Sequence, residues 1–147
     1  MNTAIGLVLA AAALGANAQS TSPVGTWKTI DDATKKEKSL VRIVESGGVY
    51  SGRIEKLLES TMVPDAVCKE CTDDRKDKPV VGLVIIRNMK QSADDKTVFE
   101  GGDILDPANG KVYQSKMKLV DNGAKLEVRG FVGISMFGRT QTWIRAE

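Results

Sequence analysis

There is no histidine anywhere in the 147 residues. That absence removes the commonest general base and the commonest metal ligand together. Cysteine is nearly as scarce, with only Cys68 and Cys71, both in the stretch PDAVCKEC. Structural zinc wants four ligands, mostly Cys or His, so a zinc site would have to recruit Asp65, Glu70, Asp73 or Asp74. No metal is therefore expected. Blocks of one charge sign are missing too: the formal net charge is +2, and the Lys and Arg residues are interleaved with Asp and Glu. This leaves no electrostatic footprint for nucleic acid. Phosphate-cradling glycine loops and the G-x-S-x-G elbow are also absent, and no pattern asks for a cofactor.

Long apolar runs are missing except at the start. In MNTAIGLVLAAAALGANAQS the run from Ala4 to Leu14 is followed by Ala16-Asn17-Ala18, a small-x-small site for signal peptidase. Residues 1–18 read as a cleaved signal peptide and 19–147 as one mature domain. The competing reading is a retained anchor, which the lack of Lys or Arg before the run favours. Against it, a membrane span needs roughly 20 apolar residues. Export, periplasmic or secreted, implies an oxidising compartment in which paired cysteines close.

What is present is a succession of short β-prone runs. Strands are predicted at Gly25 to Ile30, Leu40 to Glu45, Val49 to Leu57, Val81 to Asn88, Thr97 to Glu100, Gly102 to Asp106, Lys111 to Leu119, Lys125 to Val132 and Gly138 to Arg145. Between them Ser46-Gly47-Gly48, Asp106-Pro107-Ala108-Asn109-Gly110 and Asp121-Asn122-Gly123 are hairpin turns, whose Asn and Gly accept positive φ. Sequential antiparallel strands must hide their edges, and closure does so. The expected fold is all-β, a single up-and-down barrel of about eight to nine strands. Tyr113, Met117 and Leu119 alternate with Lys116 and Lys118, and Tyr50, Gly52 and Ile54 with Arg53 and Glu55, which gives each strand one dry face. The segment 59–79 breaks the rhythm and reads as a lid or crossover, with Pro64 and Asp65 able to open a short helix.

Three readings compete for C-x-x-C. Zinc lacks ligands, and thioredoxin-type redox chemistry lacks its βαβ setting. A local Cys68–Cys71 disulfide remains, worth about 2 kcal/mol in the loop-entropy model. Trp27 on the first strand and Arg139 or Arg145 on the last meet if the barrel closes, and an arginine across the indole is worth about 0.5 to 2 kcal/mol. On the final strand Arg139, Gln141, Trp143 and Arg145 share a face. If that face points inward, Arg139 and Gln141 are candidates to fix a ligand's polar head, with Trp143, Tyr50, Ile54, Tyr113, Met117 and Phe131 as walls. The Gly-rich apolar stretch from Phe131 to Phe137 reads either as a bulged core hairpin or as an interaction tip. Glu100, Asp103 and Asp106 are the carboxylates from which an acid–base pair would have to come, although Asp106 already has a turn role.

The motifs GTWKTID, SLVRIVE, PDAVCKEC, KPVVGLVII, GGDILDPANGKVY and KLEVRGFVGISMFGRTQTW resemble a bacterial secreted family labelled domain of unknown function 2147. That resemblance implies a lipocalin-like barrel exported by Gram-negative bacteria that holds a small apolar or amphipathic molecule. Calycin barrels more broadly are similar in carrying G-x-W on the first strand, here Gly25 and Trp27, and an arginine near the C-terminus, here Arg145 or Arg139. Members commonly have Gly after the Thr of the first turn, where this chain has Lys35, so a looser hairpin is expected. The expected function is non-catalytic ligand binding, with an interaction module built on the 131–137 tip as the alternative. An enzyme working through carboxylates alone comes last. No pattern specifies an oligomeric state.

Overall fold

The computed structural model describes residues 22–59, 63, 65–134 and 137–146. The expected signal peptide, Pro64 and Met136 of the apolar 131–137 stretch lie outside the described residues. The strands are β1 (Gly25–Ile30), β2 (Glu37–Ser46), β3 (Val49–Leu57), β4 (Val84–Gln91), β5 (Val98–Asp106), β6 (Lys111–Val120), β7 (Lys125–Phe131) and β8 (Gly138–Arg145). A 3-10 turn, Asp121–Gly123, joins β6 to β7. Each strand pairs antiparallel with the next, and β8 returns to β1 through Trp27 opposite Arg145 and Lys28 opposite Ile144, so the barrel closes.

Nine predicted runs become eight strands because Thr97–Glu100 and Gly102–Asp106 belong to one element, β5. Gly101, at φ 84°, is extruded as a bulge where the register with β6 shifts between Glu100 and Gly102. A glycine at positive φ kinks a strand without ending it. β4 begins at Val84 rather than Val81, because Gly82 turns the chain while its N–H donates to the Ile54 carbonyl.

Alternation builds the interior as expected. Val41, Ile43, Ile54, Ile86, Phe99, Met117, Leu126 and Trp143 are buried, whereas the lysines of β6 are exposed. Each fully buried aliphatic side chain contributes about 1.5 to 3 kcal/mol of transfer free energy. One run departs from strict alternation. Consecutive Ile85 and Ile86 are both buried, and Leu105 is buried beside inward-facing Ile104. Ile85 is the extra residue where the register with β3 slips between Gly52 and Arg53. Leu105 instead alternates with Ile104 and pairs with exposed Val112, so the outer side of the wall at Leu105 must also be covered.

The cover is the β3–β4 crossover. Its Cys68, Cys71, Val80 and Leu83 join Ile85 and Leu105 in one continuous apolar cluster. Val67 bridges Pro79, and Cys68 exchanges backbone hydrogen bonds with Lys78 and Asp77, which pinches the segment into a short hairpin. Cys68 and Cys71 are disulfide-bonded with Cα atoms 5.4 Å apart, as the sequence predicted. Its described residues form turns and this bridge, so the helix expected at Asp65 is replaced by a turn. Arg75 adds a fastening that the sequence did not signal. Its side chain is 5% exposed, grips both oxygens of Asp73 and donates to the Val84 carbonyl at 2.8 Å. These Arg75 hydrogen bonds hold the Asp73 carboxyl down to about 2. A buried guanidinium is tolerable only when its donors are satisfied in this way. The crossover also presses on the β5–β6 turn: a Cβ on Gly110, at φ 72°, would lie 1.8 Å from the Glu70 carbonyl oxygen.

Candidate functional site: the mouth of the barrel

Up-and-down connectivity puts the loops after odd-numbered strands at one end. At that end lies a cavity of about 450 Å³. Its apolar wall includes Ile54, Ile104, Tyr113, Val128, Phe131 and Trp143, and its polar lining includes Thr29, Lys38, Ser39, Asn109, Arg139 and Gln141. The size and the mixed lining are those of a small-molecule site.

Six sequence-predicted residues are therefore brought together: Arg139, Gln141, Trp143, Ile54, Tyr113 and Phe131. Tyr50 and Met117 are not among the lining. Both point inward, but at the far level of the barrel, where Met117 is fully buried and the Tyr50 ring packs edge-to-face on Phe99 at 4.8 Å. Burial there, with the charge of Glu45, pushes the Tyr50 phenol above its ordinary value. Arg139 also departs from expectation: it lines the cavity from the rim, with its side chain 71% exposed. The crossover contributes none of the lining among the described residues, so it covers the flank and not the mouth.

A polar chain crosses the rim. The Trp143 indole N–H donates to Gln141 Oε1 at 3.3 Å, and Gln141 Nε2 donates to Asp32 Oδ2 at 3.0 Å. The same Asp32 oxygen lies 3.3 Å from Arg139 Nε. Asp32 belongs to the β1–β2 turn, and nothing in the sequence linked it to residues more than a hundred positions away. Its neighbour Asp31 shapes that turn, accepting the N–H groups of Thr34 at 2.8 Å and Ala33 at 2.9 Å. Chiefly the bond from Thr34 holds the Asp31 carboxyl below its ordinary value. The turn is not loose: Lys35 occupies the left-handed region at φ 60°, and its N–H donates to the Asp31 carbonyl at 2.8 Å. Deeper in, the Thr29 and Ser39 hydroxyls pair at 2.7 Å.

The candidate carboxylates do not converge. Glu100 pairs with Lys116 at 3.6 Å on the outer surface, Asp103 sits opposite Arg87, and Asp106 Oδ1 accepts the Ala108 N–H in its turn. No group of three or more His, Cys, Asp or Glu side chains able to hold a metal occurs among the described residues.

The opposite end is closed by the seam. Arg145, and not Arg139, lies over Trp27, with Cζ 4.3 Å from the ring centroid. Its guanidinium donates to the carbonyls of Gly123, Val24 and Ser22, and the Trp27 indole donates to Pro23 at 2.8 Å. Burial pulls the Arg145 guanidinium below its ordinary value. Gly25 opens β1 at φ 142° beside this cluster.

Residues 25–145 match the family described as an uncharacterized protein conserved in bacteria (DUF2147), and the chain belongs to that family. No curated protein matches it. Among solved structures it is similar to protein HP1028 from the human pathogen Helicobacter pylori, described as belonging to the lipocalin family. The TM-score is 0.74 at 19% identity, covering 87% of this chain and 85% of that one. At this identity the likeness establishes the lipocalin-like barrel.

Proposed function

We propose that the protein is an exported, non-catalytic binding protein that holds a small apolar or amphipathic molecule in the mouth of its barrel. The observation that carries this reading is the cavity of about 450 Å³, with an apolar wall and a polar rim, at the mouth of the barrel. A barrel serving merely as a scaffold would gain stability by filling that space, since each void forfeits packing. The lipocalin description of HP1028 supports the same reading. Periplasmic or secreted placement rests on the leader-like first residues and is supported by the closed Cys68–Cys71 pair. No helix among the described residues is long and apolar enough to cross a membrane.

Native mass spectrometry tests the proposal. The purified protein should carry, or take up from a lipid extract, one molecule per chain. Protein that neither retains nor acquires any lipid would refute it. One observation favours a second role for the tip: Val132, Ile134 and Phe137 are 65%, 59% and 67% exposed. Such apolar groups suit contact with the envelope or a partner protein. Under that role, Ile134→Ser, outside the cavity lining, should weaken envelope association and leave lipid uptake intact.

A further inference from the structure

We propose that the mouth receives a carboxylate, and that Asp32 is its resident stand-in: the ligand is an acyl chain whose carboxylate takes Asp32's place against Gln141 and Arg139. This rests on the cavity reading above and adds the ligand's head group and the residue that competes with it.

The geometry begins at Trp143. An indole N–H can only donate, so the Gln141 oxygen must face it and the Gln141 NH₂ must face the rim. There the amide meets a single carboxylate oxygen, Asp32 Oδ2, which the Arg139 guanidinium also approaches at 3.3 Å. Two donors on one strand thus converge on an acceptor of the kind a fatty acid carries. That acceptor comes from a turn, with its side chain 40% exposed and Arg139 71% exposed. An ion pair so open to water is weak and exchangeable.

The two adjacent aspartates divide the work. Asp31 ties the turn through Ala33 and Thr34, so Asp32 can leave the rim without the turn coming apart. Lys38 also lines the mouth, where its charge reaches Asp31, and the Asp106 carboxylate, which accepts the Ala108 N–H, belongs to the same lining. With Asp32 displaced, Arg139 is left facing the incoming head, and Lys38 is the second cation of the lining. Behind them Val128, Phe131 and Trp143 offer an apolar wall to the chain. A neutral head would leave the Arg139 charge with no gain over Asp32, so it would not drive the exchange.

Displacement of the neutral fluorophore N-phenyl-1-naphthylamine by dodecanoate and by dodecanol tests the proposal on the full mature chain. Wild type should bind the acid more tightly than the alcohol, and 0.5 M salt should narrow the gap. Asp32→Asn, which removes the competitor, should tighten dodecanoate about tenfold and leave dodecanol unchanged. Arg139→Gln should abolish the preference for the acid. Should that variant fold poorly, Arg139→Lys, which keeps the charge, should retain part of it. Equal binding of acid and alcohol in wild type, or no tightening in Asp32→Asn, would overturn the head-group assignment while leaving the cavity reading intact. Failure of the fluorophore and both ligands to bind any variant would overturn both.

Discussion

Two arginines on the same face of β8 have opposite fates. At the closed end Arg145 lies over Trp27 and donates to three backbone carbonyls from the N-terminal segment and the β6–β7 turn. At the mouth Arg139 is mostly exposed and meets one carboxylate on a turn. Main-chain carbonyls just before β1 and in the β6–β7 turn are fixed by the chain that carries them, so Arg145 is part of the structure. A half-exposed carboxylate on a turn is held less firmly, and under the proposed exchange this is what makes Arg139 available to a ligand. The partner's freedom to move, more than the arginine itself, separates the two roles.

The comparison breaks first at Trp27. Trp27→Ala should cost about 3 to 5 kcal/mol, because it empties a fully buried indole site and strips Arg145 of its platform. Urea denaturation measures the loss; a midpoint near wild type would mean that the seam is not a structural anchor. Arg145→Gln should come next, at about 2 to 3 kcal/mol, from the lost cation–π contact and the carbonyls left for water to satisfy. Ligand binding at the far end should survive in any protein that remains folded.

Much of this end was legible in the sequence, because closure brings terminal strands together whatever lies between them. Trp27 and an arginine of the last strand follow from topology alone, although register was needed to choose Arg145, directly opposite Trp27, over Arg139. The disulfide was legible because the two cysteines had no other plausible chemistry. The mouth was harder. Period-two alternation reports which face a side chain takes but not its depth, so Tyr50 and Met117 were placed on the right face at the wrong level. Asp32 carries no sequence signal, because its partners Gln141 and Arg139 meet it only through the closed seam. Arg75 looked like one of many surface charges in a charged loop. Its burial depends on the crossover folding back over β4, which no local pattern encodes.

The crossover is a third region, against which the barrel itself can be tested. Because the disulfide joins residues only three positions apart, Cys68→Ala with Cys71→Ala should cost about 2 kcal/mol or less and act on the segment alone. Alanine is preferable to serine, since both sulfurs are buried in an apolar cluster. In hydrogen exchange the amides of Cys68, Asp77 and Val80 should lose protection while Val41 and Met117 keep theirs. Cooperative loss at both sets would mean that the crossover and the barrel fold as one unit.

At the mouth the expected effects on stability are small, and one has the opposite sign. Lys35 holds φ 60° in a turn otherwise set by Asp31, a conformation that glycine adopts without strain. Lys35→Gly should therefore stabilise by about 0.5 to 1 kcal/mol, net of the extra freedom of the unfolded chain.

Arg139→Gln should change stability least, by less than about 0.5 kcal/mol, as expected for an exposed pair screened by water. Set beside Arg145→Gln it is the decisive measurement: the same substitution on the same strand should be large at one end and almost silent at the other. If the Arg139 variant were as destabilised as its counterpart, the Asp32 contact would be a structural tie across the seam, and the mouth would be closed by design. A silent Arg139 variant that has lost its preference for dodecanoate would separate the two arginines by function as well as by stability.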